Sequence, residues 1–100
     1  MFPSAATTAV SGMIATQVAF RASAHNVANV ETPDFQRQTV VNTTTPSGGV
    51  ETAVARAANT GAALDTDVVG MLQAKNAFLA NLAVFRASDR MAGTLVDIAT

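Results

Sequence analysis

Apolar residues recur at helical spacing at both ends of this 100-residue chain and lose that spacing in between. Over residues 4–29, Val10, Met13, Gln17, Phe20, Ala24 and Val27 step alternately by three and four. That is a helical seam of coiled-coil type with one polar position, Gln17. A second face of the same helix is small: Ala5, Ala9, Gly12, Ala19 and Ala22. Gly12 costs a helix interior about 1 kcal/mol relative to alanine. Either a neighbouring helix approaches closely there or the glycine is simply tolerated. Pro3 suits a helix start and Ser4 an N-cap. Asn26 and Asn29 suit the left-handed conformation of a C-cap, and Thr32-Pro33 blocks continuation.

Residues 30–60 read as a short loop or β-hairpin. Phe35 to Thr43 alternates loosely and is β-branched, Thr45-Pro46-Ser47-Gly48-Gly49 is a turn signal, and Val50 to Ala55 forms a returning strand. Asn59-Thr60-Gly61 then breaks the chain. A C-terminal helix over residues 61–98 starts between Thr60 and Asp67, with Asp65, Thr66 and Asp67 as N-cap and first-turn charge. Met71, Phe78 and Phe85 step by seven, as do Leu72 and Leu79, and Leu82, Met91, Leu95 and Val96 widen the band. At 1.5 Å per residue the helices run ~39 Å and ~48 Å. The fold class is mainly α, a single domain of two long terminal helices paired as an antiparallel coiled-coil-like hairpin. A two-helix hairpin does not cover so wide a band, so the remaining apolar surface calls for other chains.

Composition narrows the function. Hydrophobic residues make up 49% of the chain, largely as alanine, which contributes little buried area, so Phe20, Phe35, Phe78 and Phe85 are the expected bulk of a thin core. A formal charge of −1 gives no basis for nucleic-acid binding. No cysteine is present, which removes disulfides and thiolate metal sites. Met1-Phe2-Pro3-Ser4 lacks the features of a cleaved signal peptide, and no uninterrupted apolar run reaches about 18 residues, so no transmembrane segment is expected. His25 stands alone, without a second ligand at helical spacing, and suits the helix C-terminus through the dipole. Ser23, His25 and Asp34 have no nucleophile-elbow context. No catalytic set, cofactor or metal site is expected. Arg21, Arg37, Lys75, Arg86, Asp89, Arg90 and Asp97 are available for pairing between subunits, with solvated rim charge as the default.

The motifs resemble a known family. Ser11-Gly12-Met13, then Ala24-His25-Asn26-Val27-Ala28-Asn29, then Thr32-Pro33-Asp34-Phe35 are similar in order and spacing to the amino-terminal signature of bacterial flagellar rod and hook axial proteins. Met71-Leu72-Gln73-Ala74-Lys75-Asn76-Ala77-Phe78-Leu79-Ala80-Asn81 resembles the carboxyl-terminal signature, as do Ala87-Ser88-Asp89-Arg90-Met91 and Gly93-Thr94-Leu95-Val96-Asp97-Ile98. The blocks cover roughly two-thirds of the chain, and the short middle resembles the proximal-rod type. The departures are His25 for the first Asn of an Asn-Asn pair, Asp34 for the Gly of Thr-Pro-Gly, and Gly70 for an acidic residue. Asp34 gives up easy access to positive φ, so a type I turn is expected at Thr32-Pro33-Asp34-Phe35.

The resemblance implies a structural subunit of the flagellar basal-body rod that polymerises through both helices with copies of itself and with other rod proteins. It also implies export through the flagellar type III apparatus without a cleaved signal, and a place in the periplasm-spanning rod. Pairing and subunit contact then fall to Val10, Met13, Gln17, Phe20, Ala24, Val27, Asn29, Met71, Phe78, Asn81, Leu82, Phe85, Met91 and Leu95. Asn81 is expected as a buried, partnered amide that fixes helix register. The isolated chain is expected to have partly disordered termini. The alternative is a small secreted helical-hairpin adaptor or chaperone acting as a soluble dimer.

Overall fold

Four elements follow one another in the computed structural model, which describes residues 5–99: α1 (Ala5–Ala28), β1 (Gln36–Thr44), β2 (Val50–Thr60) and α2 (Leu64–Ala99). The cap expected at Pro3-Ser4 lies outside the described residues. α1 does not end in a left-handed cap. Neither Asn26 nor Asn29 has positive φ, and Asn26 is still helical. Instead the Asn29 side chain closes the helix, its Nδ2 donating to His25 O at 2.8 Å beside the Asn29 N bond to the same carbonyl at 3.1 Å. Val30 N then bonds Val27 O, tightening the last turn.

The middle is an antiparallel hairpin, paired from Thr44↔Val50 at the tip to Gln36↔Thr60 at the root, with an irregularity between Gln36 and Gln38. β2 runs five residues past the expected Ala55. The tip is closed by Thr45 N to Gly49 O at 3.2 Å, and Gly48 and Gly49 adopt positive φ there. Asp67 N bonds Ala63 O at 3.0 Å, so Ala63 holds the cap position of α2, and Asp65, Thr66 and Asp67 all lie inside the helix.

The two helices lie side by side and antiparallel. Asn81 stands against Gly12, Ser23 against Gly70, and Asn26 bonds Asp67. Between these pairs α1 advances by eleven and then three residues while α2 recedes by the same steps, so one register holds throughout. The contact is made by small side chains. Ala9, Ala15, Ala22 and Asn26 are buried on α1, and Ala74 and Asp67 on α2. This corrects the expected seam: Val10, Met13 and Val27 each sit one residue past a contact position (Ala9, Gly12 and Asn26), about 100° of helix rotation, and Gln17 and Phe20 lie outside the buried stripe as well. Val10, Gln17 and Phe20 are exposed, and Met13, Ala24 and Val27 are half-buried on the flank. Nor do the phenylalanines form the core. Phe35, Phe78 and Phe85 are half-buried, because helices brought together on Ala and Gly leave no room between them for larger groups.

The hairpin backbone lies along α1 and reaches α2 through the Arg37–Asp67 side chains. The molecule is elongated, 63 × 25 × 13 Å, with a radius of gyration of 17.3 Å against about 13 Å for a compact chain of this length. By length and composition alone α2 is apolar enough to cross a membrane, with a mean hydropathy of 1.3 over an 18-residue window. The run-length exclusion therefore does not hold on an averaged measure. Isolated charges such as Lys75 and Arg86 end each unbroken run without bringing the average below that of a span.

Candidate functional site: a buried polar junction beside an open apolar flank

The Asn26 side chain makes three hydrogen bonds. It projects from the last turn of α1 toward β1, where its Oδ1 accepts Gln38 N at 2.7 Å and its Nδ2 donates to Gln38 O at 2.9 Å. A side-chain amide thus pairs with a strand residue as a neighbouring peptide group would. Nδ2 also donates to Asp67 Oδ1 at 3.1 Å. Asp67 in turn receives Arg37 from both sides, Nε to Oδ2 at 3.0 Å and Nη2 to Oδ1. The Asp67 side chain is 4% exposed and that of Arg37 is 22%. Three elements, α1, β1 and α2, meet at this one junction.

Charge is managed within it. The Arg37 guanidinium, and after it the Asn26 amide, hold the Asp67 carboxyl below the usual carboxylate range against the opposing effect of burial. Arg37 is correspondingly pushed up by its bond to Asp67. A bidentate pair of this kind fixes orientation as well as charge. In the sequence Arg37 reads as rim charge, Asp67 as a helix-start residue and Asn26 as a cap. Their separation along the chain exceeds any helical or strand period, so no local pattern joins them. The one local signal was Asn26 itself, a costly residue one turn before the end of a helix.

A second set of contacts ties the hairpin tip and the helix pair to the Ser11-Gly12-Met13 segment. Ser11 Oγ donates to Thr8 O at 2.8 Å and accepts Val50 N at 3.1 Å. A Cβ at Gly12 would lie 2.7 Å from Asn81 Oδ1, and one at Gly70 would lie 2.9 Å from Ser23 Oγ. The close approach considered for Gly12 is therefore present. Asn81 is half-buried rather than buried, and its Nδ2 donates to Ala77 O of its own helix at 3.0 Å, so it keys the register by shape. Gly70 needs to be small where an acidic side chain would meet Ser23.

The Thr32-Pro33-Asp34-Phe35 turn departs from expectation. Asp34 adopts φ 57°, the left-handed conformation that its replacement of glycine was expected to forgo. Aspartate tolerates that region better than most residues because its short side chain bonds locally. Thr32 Oγ1 donates to Asn29 Oδ1 at 3.1 Å, and the ring of Phe35 lies 5.4 Å from that of His25. Leu82 and Met71 are half-buried beside the helix contact, while Met91 and Leu95 are exposed.

Around these fixed points much of the apolar surface is uncovered. Ile14, Leu72, Leu79 and Val84 are exposed along the paired region. Continuing the helix register places Ala5 level with Ser88, so Asp89–Ala99 extends past the described part of α1, with Met91, Leu95 and Ile98 67%, 66% and 76% exposed. An open groove of about 460 Å³ runs between Phe20 and Phe78, rimmed by Arg21 and Lys75. The accessible area is 6989 Å², against about 5,300 Å² for a compact monomer of this mass. Among the described residues no three His, Cys, Asp or Glu side chains converge. No protein-family model matches the chain, and no curated protein is significantly similar to it.

Proposed function

We propose that this chain is a structural subunit of the bacterial flagellar basal-body rod, built by packing and not by chemistry. Its helices act as an antiparallel coiled-coil-like unit, and many copies stack together with other rod proteins into the axial drive-shaft. Export follows the flagellar type III route without a cleaved signal, and assembly takes place across the periplasm.

One observation carries the reading. The segments that resemble the two axial signatures meet in space where Gly12 receives Asn81, and Ala24-to-Asn29 is held through Asn26 to Asp67, just ahead of the carboxyl-terminal signature. The signatures then have a joint physical purpose, which is to set one helix register. The uncovered area supports assembly as well. The excess over a compact monomer is on the order of 1,700 Å², about twice the ~800 Å² that one partner contributes to a standard contact. In a rod, Val10, Phe20, Leu79, Met91 and Leu95 would be covered by neighbouring subunits.

A soluble adaptor or chaperone dimer would use the same flank once, in a closed pair. The two readings separate in a strain lacking the chain. The rod reading expects no swimming and basal bodies that stop short of the hook, restored by the wild-type chain. Normal motility with complete hook-basal bodies would defeat it.

A further inference from the structure

The outer edges of the hairpin are open along most of their length, and its end contacts show which peptide groups point outward. In an antiparallel ladder the N–H and C=O of one residue point to the same side, and the side alternates along the strand. Thr45 bonds Gly49 across the hairpin, so the odd-numbered residues of β1 face β2. Gln38 gives both its N–H and its C=O to Asn26, so the even-numbered ones face away. On β2 the outward set includes Val50, whose N–H goes to Ser11. α1 therefore closes one rung on each edge, at the root of β1 and at the tip of β2.

Three outward rungs remain on each side: Val40, Asn42 and Thr44 on β1, and Thr52, Val54 and Arg56 on β2, where the irregularity near Gln36–Gln38 ends the regular ladder. Between Gln38 and Thr44, β1 has no charged residue, proline or bulge, which are the devices that protect an edge. Beside the Arg37–Asp67 bridge, the space between β1 and Gly70, Gln73 and Ala77 of α2 is an open groove of about 410 Å³.

We propose that a second copy of this chain supplies the missing strand, Thr52–Arg56 of one copy adding antiparallel to Val40–Thr44 of the next with Asn42 opposite Val54. The two runs match in length, and each is closed at one end by its own α1, so the pairing is held to three rungs. The contact joins two different edges and leaves one of each unused, so it is head-to-tail and repeats beyond a pair, as an open helix or a ring. It rests on the reading of the chain as an assembling subunit and names the surface that joins successive copies.

The absence of cysteine makes the test direct. Asn42→Cys and Val54→Cys chains, mixed and oxidised at a concentration where the chain sediments above monomer, are expected to form the 42–54 mixed disulfide in large excess over either variant alone. Thr44→Cys with Thr52→Cys tests the next rung independently. Val54→Pro removes only an outward N–H and should weaken association about fivefold, the equivalent of one hydrogen bond, with strand content retained. Larger particles without the mixed crosslink, or with 42–42 or 54–54 dominant, overturn this pairing and leave assembly standing. A chain that stays monomeric at every concentration overturns both.

Discussion

Asp67 and Arg37 illustrate how one side chain can depend on another for its place inside a protein. Removing either leaves a charge largely out of water, and breaking such a pair is strongly destabilising, by roughly 3 kcal/mol. We expect Arg37→Met to lower stability by about that amount, and Arg37→Met with Asp67→Leu to recover much of it, as measured by urea unfolding in a double-mutant cycle. Additive losses would mean the pair is not coupled. The same junction sets a pH dependence. Asp67 has a lowered folded-state pKa, so its stabilisation is present above the ordinary aspartate value near 4 and is lost as pH falls through the lower folded value. Wild-type stability should drop in that acid window, and Asp67→Asn should flatten the drop.

At the scale of elements, the contact between α1 and α2 is decided by what is absent from two side chains. Gly12→Ala gains helix propensity but places a Cβ against the Asn81 amide, so we expect it to be neutral or destabilising despite a nominal gain of about 1 kcal/mol. Adding Asn81→Ala should release that gain, giving a double variant more stable than the wild type by thermal unfolding. If Gly12→Ala alone delivers the full gain, the close approach is not what holds the glycine there. The existence and order of the elements were legible from spacing and turn chemistry: both helices, the turn at Thr45–Gly49 and the break at Gly61 lie where Gly, Pro and periodicity put them. The facing of α1 was not. Val10, Met13 and Phe20 form the greasier stripe, and a scale that ranks residues by hydrophobicity selects it over Ala9, Ala15 and Ala22. Close packing of backbones rewards smallness instead, and bulk is left for surfaces that other chains can cover. The Asn26–Arg37–Asp67 junction escaped for a different reason, since it pairs residues more than ten and up to 41 positions apart.

For the molecule as a whole, support is uneven along its length. Residues 67–81 of α2 are backed by α1, whereas Asp89–Ala99 extends beyond Ala5 with its large apolar side chains in solvent. Helical hydrogen bonds without tertiary backing open readily. Hydrogen exchange on the isolated chain should therefore grade from slow around Ala74 to fast beyond Ser88, and the fast segment should become protected on assembly. Uniformly slow exchange in a monomer would show that the overhang is stable without a partner.

The two glycine contacts point in opposite directions. At one end α1 supplies the recess and α2 the peg; some 16 Å along, Ser23 on α1 is the peg and Gly70 on α2 the recess. Such a reciprocal keyway blocks sliding both ways, because relief at one notch drives the other deeper. A force applied along or around the axis of the pair is then borne as shear by the whole hairpin and not released by slippage. The proposed rod subunit would then act as one stiff strut and pass torque to its neighbours.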